Sequence, residues 1–201
     1  MRLLLLDAAG DRCLAALCDG ETLLTERSLA GRHGQPAALP PLVEAVLEEA
    51  GMPEAVAVCV GPGSFTGIRA ALALAEGLAL ARNLPLCGVS AGEAMAAECG
   101  PGWPVWSATD NRRGALFLEG PGEAVALAET ALPMPEGPVR LAGDAAPRAA
   151  ARLLARGARV LLTPVRRPGA PGLARVALRR LRGDVAPRMA EPLYVEPPAT
   201  T

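Results

Sequence analysis

A chain of 201 residues that is 51% apolar but only 2% aromatic holds one large domain or two small ones with cores of Leu, Val and Ala. It is too poor in aromatics to suggest platforms on which nucleobases stack. Its twenty basic residues are all arginine and nearly match twenty-one acidic ones, yet from Val139 to Ala190 twelve arginines face only Asp144 and Asp184. That split suits a basic face for a partner such as RNA; solvated arginines on amphipathic helices are the simpler reading. The cysteines, Cys13, Cys18, Cys59, Cys87 and Cys99, form no CxxC pair and read as buried thiols of a reducing cytosol. No segment is long enough to cross a membrane without charge, glycine or proline, so a cytoplasmic protein is expected.

Three strands open the chain, Arg2–Asp7, Arg12–Cys18 and Thr22–Ser28, joined at Ala9-Gly10-Asp11 and Asp19-Gly20. Leu39, Leu42, Val43, Val46, Leu47 and Ala50 recur at helical spacing, with Pro40 and Pro41 either in the first turn or kinking the helix and Gly51 as the stop. A buried strand over Val56–Val60 runs into the loop Gly61-Pro62-Gly63-Ser64-Phe65-Thr66-Gly67 and a helix over Ile68–Arg82. That helix is apolar almost all round, which predicts cover on two sides. Strand Leu84–Val89 and a helix Ala91–Cys99 capped by Ser90 follow. Three antiparallel strands and then alternating helices and strands give an α/β fold with a mixed sheet flanked by helices.

Pro101, Gly102 and Pro104 mark a boundary, dividing the chain into 1–100 and a smaller unit, 101–201. The second unit starts as the first does. Strand Val105–Thr109 ends at Asp110, and a hairpin follows from Ala115–Glu119 through Gly120-Pro121-Gly122 to Ala124–Ala128. Strand Val139–Ala142, helix Pro147–Ala155, strand Arg159–Leu162 and helix Leu173–Arg182 complete it, before a Pro-rich end in which Leu193-Tyr194-Val195 docks as a strand. The echo predicts a duplicated fold.

Asp7 and Asp110 each end the first strand of their unit. They are either carboxylates facing a shared cleft, able to hold a metal-nucleotide, or turn-initiating aspartates. His33, the sole histidine, sits in a polar loop, and Ser28, Ser64, Ser90 and Ser107 lie in no GxSxG elbow, which argues against a triad. One histidine without clustered thiols makes no metal site. The glycine loop lacks the lysine and spacing of a P-loop. Gly61, Gly63 and Gly67 with Ser64 and Thr66 read as a tight strand-to-helix turn, Ser64 or Thr66 capping the helix.

The run GPGSFTGIRAALALAEGLALARNLPLCGVSAGEAMA closely resembles the bacterial TsaB (YeaZ) family. LLLLDAAGDRCLAAL is similar to the family's opening strand pair, Arg32-His33-Gly34-Gln35 to its RxHSQ-type segment, Trp106 to Arg112 to its AIDAR-type strand end, and Pro192-Leu193-Tyr194-Val195 to its terminal P-x-YLR segment. The resemblance implies the actin-like ATPase superfamily with two RNase H-like lobes. It implies a subunit of the machinery that makes N6-threonylcarbamoyladenosine at position 37 of tRNAs reading ANN codons. The catalytic paralogue TsaD carries an HxxxH metal motif where Ala91 and Met95 stand here, so the resemblance implies a non-catalytic chain that binds and activates TsaD. It further implies a TsaE-like ATPase and, indirectly, tRNA as partners, a homodimer when alone, and no tightly held cofactor, ATP entering only in the assembled complex. The turn after Asp7, Ala8-Ala9-Gly10, departs from the family's hydroxyl-rich turn. The partner face is expected on two helices, from Leu39, Leu42, Val43 and Val46 on one and Ala70, Leu74, Gly77 and Ala81 on the other. The alternative is a small-molecule kinase or ATPase using Asp7 and Asp110.

Overall fold

The computed structural model describes residues 1–31, 35–120 and 123–195, so His33 and the Pro121-Gly122 turn lie outside the described residues. The first sheet is an antiparallel meander of β1 (Arg2–Asp7), β2 (Arg12–Asp19) and β3 (Thr22–Ala30), extended on the other side of β1 by parallel β4 (Ala55–Cys59) and β5 (Leu86–Val89). The second repeats this order. β6 (Val105–Asp110), β7 (Leu116–Glu119) and β8 (Val125–Leu127) form the meander, and β9 (Val139–Ala142) and β10 (Val160–Leu162) run parallel to β6. The two sheets, flanked by helices, make the two lobes of an actin-like fold, with the duplication written in the strand order.

β1 and β4 read as near-continuous Leu, Val and Ala because helices cover both faces of the first sheet. On one face lie α1 (Gln35–Ala50) and α2 (Phe65–Arg82). On the other lies α5 (Ala170–Leu181), with α3 (Ala91–Glu98) packed against it. α4 (Ala146–Ala155) covers the second sheet, and a single 3-10 turn, Glu129–Ala131, packs beside it. The sequence boundary after residue 100 separates the two sheets but not the last helix. α5 buries Leu173, Ala174, Ala177 and Leu178 in the first core, and the tail returns with it, the Leu193 N–H bonding the Val60 carbonyl at 2.9 Å. α3 also touches β6 and β9, and so joins the lobes.

Element ends shift for local reasons. α1 starts at Gln35, before the expected Leu39, and carries Pro40 and Pro41 inside, each withholding an N–H from the ladder. α2 starts at Phe65 because Ser64 is the N-cap, its hydroxyl accepting the Gly67 N–H at 3.2 Å; Asn83 closes it in the left-handed conformation. α5 starts at Ala170, with a proline in its first turn. Among the described residues no helix is long and apolar enough to cross a membrane.

Candidate functional site

The glycine loop is a joint whose donors turn inward. The Ser64 N–H bonds the Ala9 carbonyl at 2.7 Å, the Ile68 N–H bonds the Ser64 carbonyl at 2.9 Å, and the Gly67 N–H is held by the Ser64 hydroxyl. The β1–β2 turn lies directly on this loop. A Cβ at Gly63 would stand 2.1 Å from the Ala9 oxygen, and one at Gly67 only 1.9 Å from the Ala8 oxygen. The Ala8 and Ala9 carbonyls therefore stand against the positive end of α2, where the Ser64 and Gly67 amides are already taken. Thr66 is exposed and takes no part in the cap.

Of Asp7 and Asp110, only Asp110 lines the cleft. Asp7 is buried at 1% exposure, accepts the Ala9 N–H at 2.9 Å and pairs with the Cys59 thiol; the cleft wall in front of it is made by Ala9, Gly10 and Asp11. Burial raises its pKa, against the lowering pull of the Ala9 and Cys59 bonds and the Arg12 charge. Asp110 does line the cleft, but one oxygen accepts the Arg112 N–H at 2.7 Å and the other meets Arg148 at 3.2 Å. Its own N–H is taken by Asp144 at 2.8 Å. Asp7 is thus the turn-initiating aspartate of the simpler reading.

A pH test follows from the raised pKa. A carboxyl that holds its proton more tightly when folded contributes stability that is complete below the unfolded pKa, about 3.9, and lost as pH rises through the folded value. Asp7→Asn, uncharged throughout, is expected to be more stable than the parent near pH 7, with the advantage vanishing as pH falls to about 3. Urea melts at both pH values measure this. A loss of stability near pH 7 would mean that the bonds to the charged form outweigh its desolvation.

The expected partner face is half redrawn. Leu39, Val43 and Val46 lie at 0 to 4% exposure in the first core, because the apolar stripe of α1 meets the sheet, with Leu42, Leu47 and Ala50 half-buried beside it. Its outer surface carries the exposed Glu44, Glu48 and Glu49. α2 differs. Ile68, Ala71, Leu72, Ala75 and Ala79 face the sheet, while Ala70 and Leu74 are half-buried and Gly77 and Ala81 are exposed. No atom lies within 4 Å of a Cβ built at Gly77. Leu80, absent from the sequence reading, is 84% exposed beside them. An apolar helix with its outer stripe uncovered looked, as sequence, the same as a helix covered twice.

The arginines of the second half are mostly staples. Arg180, on a face read as solvated, bonds the Gly88 carbonyl and Glu93, each at 2.6 Å, with its side chain 5% exposed. Although burial works against the charge of Glu93, the bonds from Arg180 and the Ser90 N–H and the charges of Arg188 and Arg180 hold its pKa below the usual value. Arg140 caps the carbonyls of Cys99, Gly100, Pro101 and Trp103. Ser90 and Glu93 form a capping box on α3. Glu119 of β7 closes the same helix end across the lobes, accepting from the Ser90 hydroxyl and from the Gly92 N–H at 2.9 Å. Burial raises its pKa, the bonds from Ser90 and Gly92 opposing. Ala91 and Met95 are buried in this helix.

Between the lobes opens a cavity of about 1130 Å³. The glycine loop, the Asn111–Arg113 turn, Arg166-Arg167-Pro168 and the tail residues Leu193 to Val195 wall it.

The family model described as tRNA N6-adenosine threonylcarbamoyltransferase, TsaD, matches residues 29–155. A curated relative, the tRNA threonylcarbamoyladenosine biosynthesis protein TsaB of Escherichia coli (strain K12), is 38% identical over 94 residues. That match spans 45% of this chain and 40% of the length of that protein. Among solved structures, an uncharacterized protein with similarity to peptidase YEAZ from Pseudomonas aeruginosa is 25% identical with a TM-score of 0.78, over 97% of this chain and 99% of that one. YeaZ from Pseudomonas aeruginosa is 26% identical with a TM-score of 0.75, over 96% and 99%. The ethanolamine utilization protein EutJ from Carboxydothermus hydrogenoformans, 12% identical with a TM-score of 0.53 over 87% and 89%, shares the fold.

Proposed function

Because the chain belongs to the TsaB (YeaZ) line of the family described by the tRNA N6-adenosine threonylcarbamoyltransferase model, we propose that it is a non-catalytic subunit of the machinery that makes threonylcarbamoyladenosine in tRNA. It works in the cytoplasm by binding and activating a TsaD-type transferase. The observation that carries this reading is the outer stripe of α2. Gly77 and Ala81 are small and exposed, Ala70 and Leu74 are half-buried beside them, and the exposed Leu80 flanks them. Such a stripe lets a second helix approach closely. In the isolated chain the same stripe would serve a second copy. A TsaE-like ATPase joins the complex, and ATP is handled there.

The kinase or ATPase alternative asks for carboxylates free to hold a metal-nucleotide, and Asp7 is buried while Asp110 is tied to Arg148. The pure chain is expected to turn over neither ATP nor tRNA, and, mixed with TsaD of the same organism, to give a stable heteromeric mass in solution. Robust ATP turnover lost in Asp110→Ala, without a complex by light scattering, would replace this reading by the kinase one.

A further inference from the structure

We infer that the cleft between the lobes takes an unpaired stretch of RNA, its bases stacking at the Phe65–Tyr194 edge and its phosphates lying on the guanidiniums opposite. The inference rests on the reading above for its source of RNA; the contacts are this chain's own. Three of the five aromatic residues of the sequence, Phe65, Phe117 and Tyr194, line this one cavity. Phe65 and Tyr194, distant in sequence, meet with ring centroids 5.7 Å apart and planes at 31°. Arg69 lies over the Phe65 ring at 3.8 Å and donates to the Tyr194 hydroxyl at 2.8 Å. Yet Phe65 and Tyr194 remain 45% and 52% exposed, so ring surface stays open to a base.

Charge agrees. The chain carries a net charge of −1, but five arginines and three aspartates line the cleft. Arg112 meets Asp144 at 3.4 Å and Arg167 meets Asp11 at 3.3 Å, each through a single nitrogen of a half-exposed guanidinium. The remaining donors of each fork are open to phosphate oxygens.

The same cleft is a poor seat for a free nucleoside triphosphate with its metal. That ligand wants loop amides for its phosphates and a free carboxylate for the ion. Here the Ser64 and Gly67 amides of the glycine loop are spent on Ala9 and Ser64, and Asp110 is spent on Arg112 and Arg148. Singly charged phosphates spaced along a strand need only separated cations, and bases need only a ring face. Composition argued against stacking platforms; folding gathers three of the five aromatics at a basic cleft.

The test uses the full chain and a short, unpaired, fluorescein-labelled RNA oligonucleotide, read by fluorescence anisotropy from about 50 to 200 mM salt. The double variant Phe65→Ala, Tyr194→Ala is expected to weaken binding about tenfold at each salt concentration. The double variant Arg112→Gly, Arg167→Ala is expected to make the slope of log affinity against log salt shallower by about 1.4. Glycine suits position 112, where φ is +63°. Circular dichroism checks that both variants are folded. Several results overturn the inference: no binding by the parent chain, equal affinity for duplex RNA or for an acidic peptide, ATP binding that displaces the RNA with higher affinity, or aromatic variants that bind as the parent does. Capture of TsaD by the same proteins separates the two readings. Capture without RNA binding sinks the cleft alone, and aromatic-dependent RNA binding without capture sinks the partner reading alone.

Discussion

Gly77→Arg is expected to leave the isolated chain folded and to abolish capture of TsaD. Gly77 sits in the interior of α2 on its outer side, and a side chain there meets nothing within 4 Å. Replacing an exposed helical glycine with a better helix former favours the helix by up to about 0.8 kcal/mol, so the melting temperature of the monomer should hold or rise. The complex should respond in the opposite direction. Helices that pack across small residues lie 8–10 Å apart, and a guanidinium placed between them is buried without a partner. Such a charge costs about 3–5 kcal/mol, more than a hundredfold in affinity. Ala81→Glu, one turn on and equally exposed, should behave alike. Circular dichroism and a TsaD titration on the same samples decide the matter; a folded Gly77→Arg chain that binds TsaD as the parent does would refute the face.

The duplication was readable from the chain because each half opens the same way: apolar strand, aspartate, tight turn, then two more strands. The capping role of Ser90 was readable too, since capping is local. What periodicity does not carry is the identity of the covering surface. Leu39, Val43 and Val46 show the spacing of a helix stripe equally well for a sheet beneath or a partner above, and the sheet is the one that meets them. Asp7 ends an exposed-looking turn, but the glycine loop, more than fifty residues on, folds over that turn and shuts it. Arg180 stands in an arginine-rich helix that reads as solvated, and its partner Glu93 lies 87 residues earlier. A trial of the basic surface against tRNA should therefore reverse Arg179 and Arg182 and leave Arg180 alone. Phe65 and Tyr194 are invisible as a pair for the same reason: the contact is made by the return of the tail to the first lobe, and nothing near either residue announces it.

Two glycines of one helix should answer the same substitution with opposite signs. Gly67 and Gly77 both lie within α2. On helix propensity alone, alanine at either should stabilise by about 0.8–1 kcal/mol. At Gly77 nothing opposes that gain, and Gly77→Ala should raise the melting temperature by about 2–4 °C for a chain of this size. At Gly67 the new Cβ would stand 1.9 Å from the Ala8 oxygen and 3.1 Å from its carbon, both backbone atoms of the buried β1–β2 turn. The turn has no rotamer to yield. It must move as a whole, and with it go the Ser64 to Ala9 bond of 2.7 Å and the Ala9 to Asp7 bond of 2.9 Å. Overpacking of this kind costs about 3 kcal/mol, so Gly67→Ala should lower the melting temperature by about 6–12 °C. Gly63→Ala, whose Cβ would stand 2.1 Å from the Ala9 oxygen, should fall in the same range. Ser64→Ala, which removes only the cap, should cost about 1 kcal/mol. Thermal melts of the four variants rank these effects. If Gly67→Ala melted with the parent, the turn would be free to swing off the glycine loop, the amides at the head of α2 would be available to an anion, and the loop would be a binding element instead of a joint.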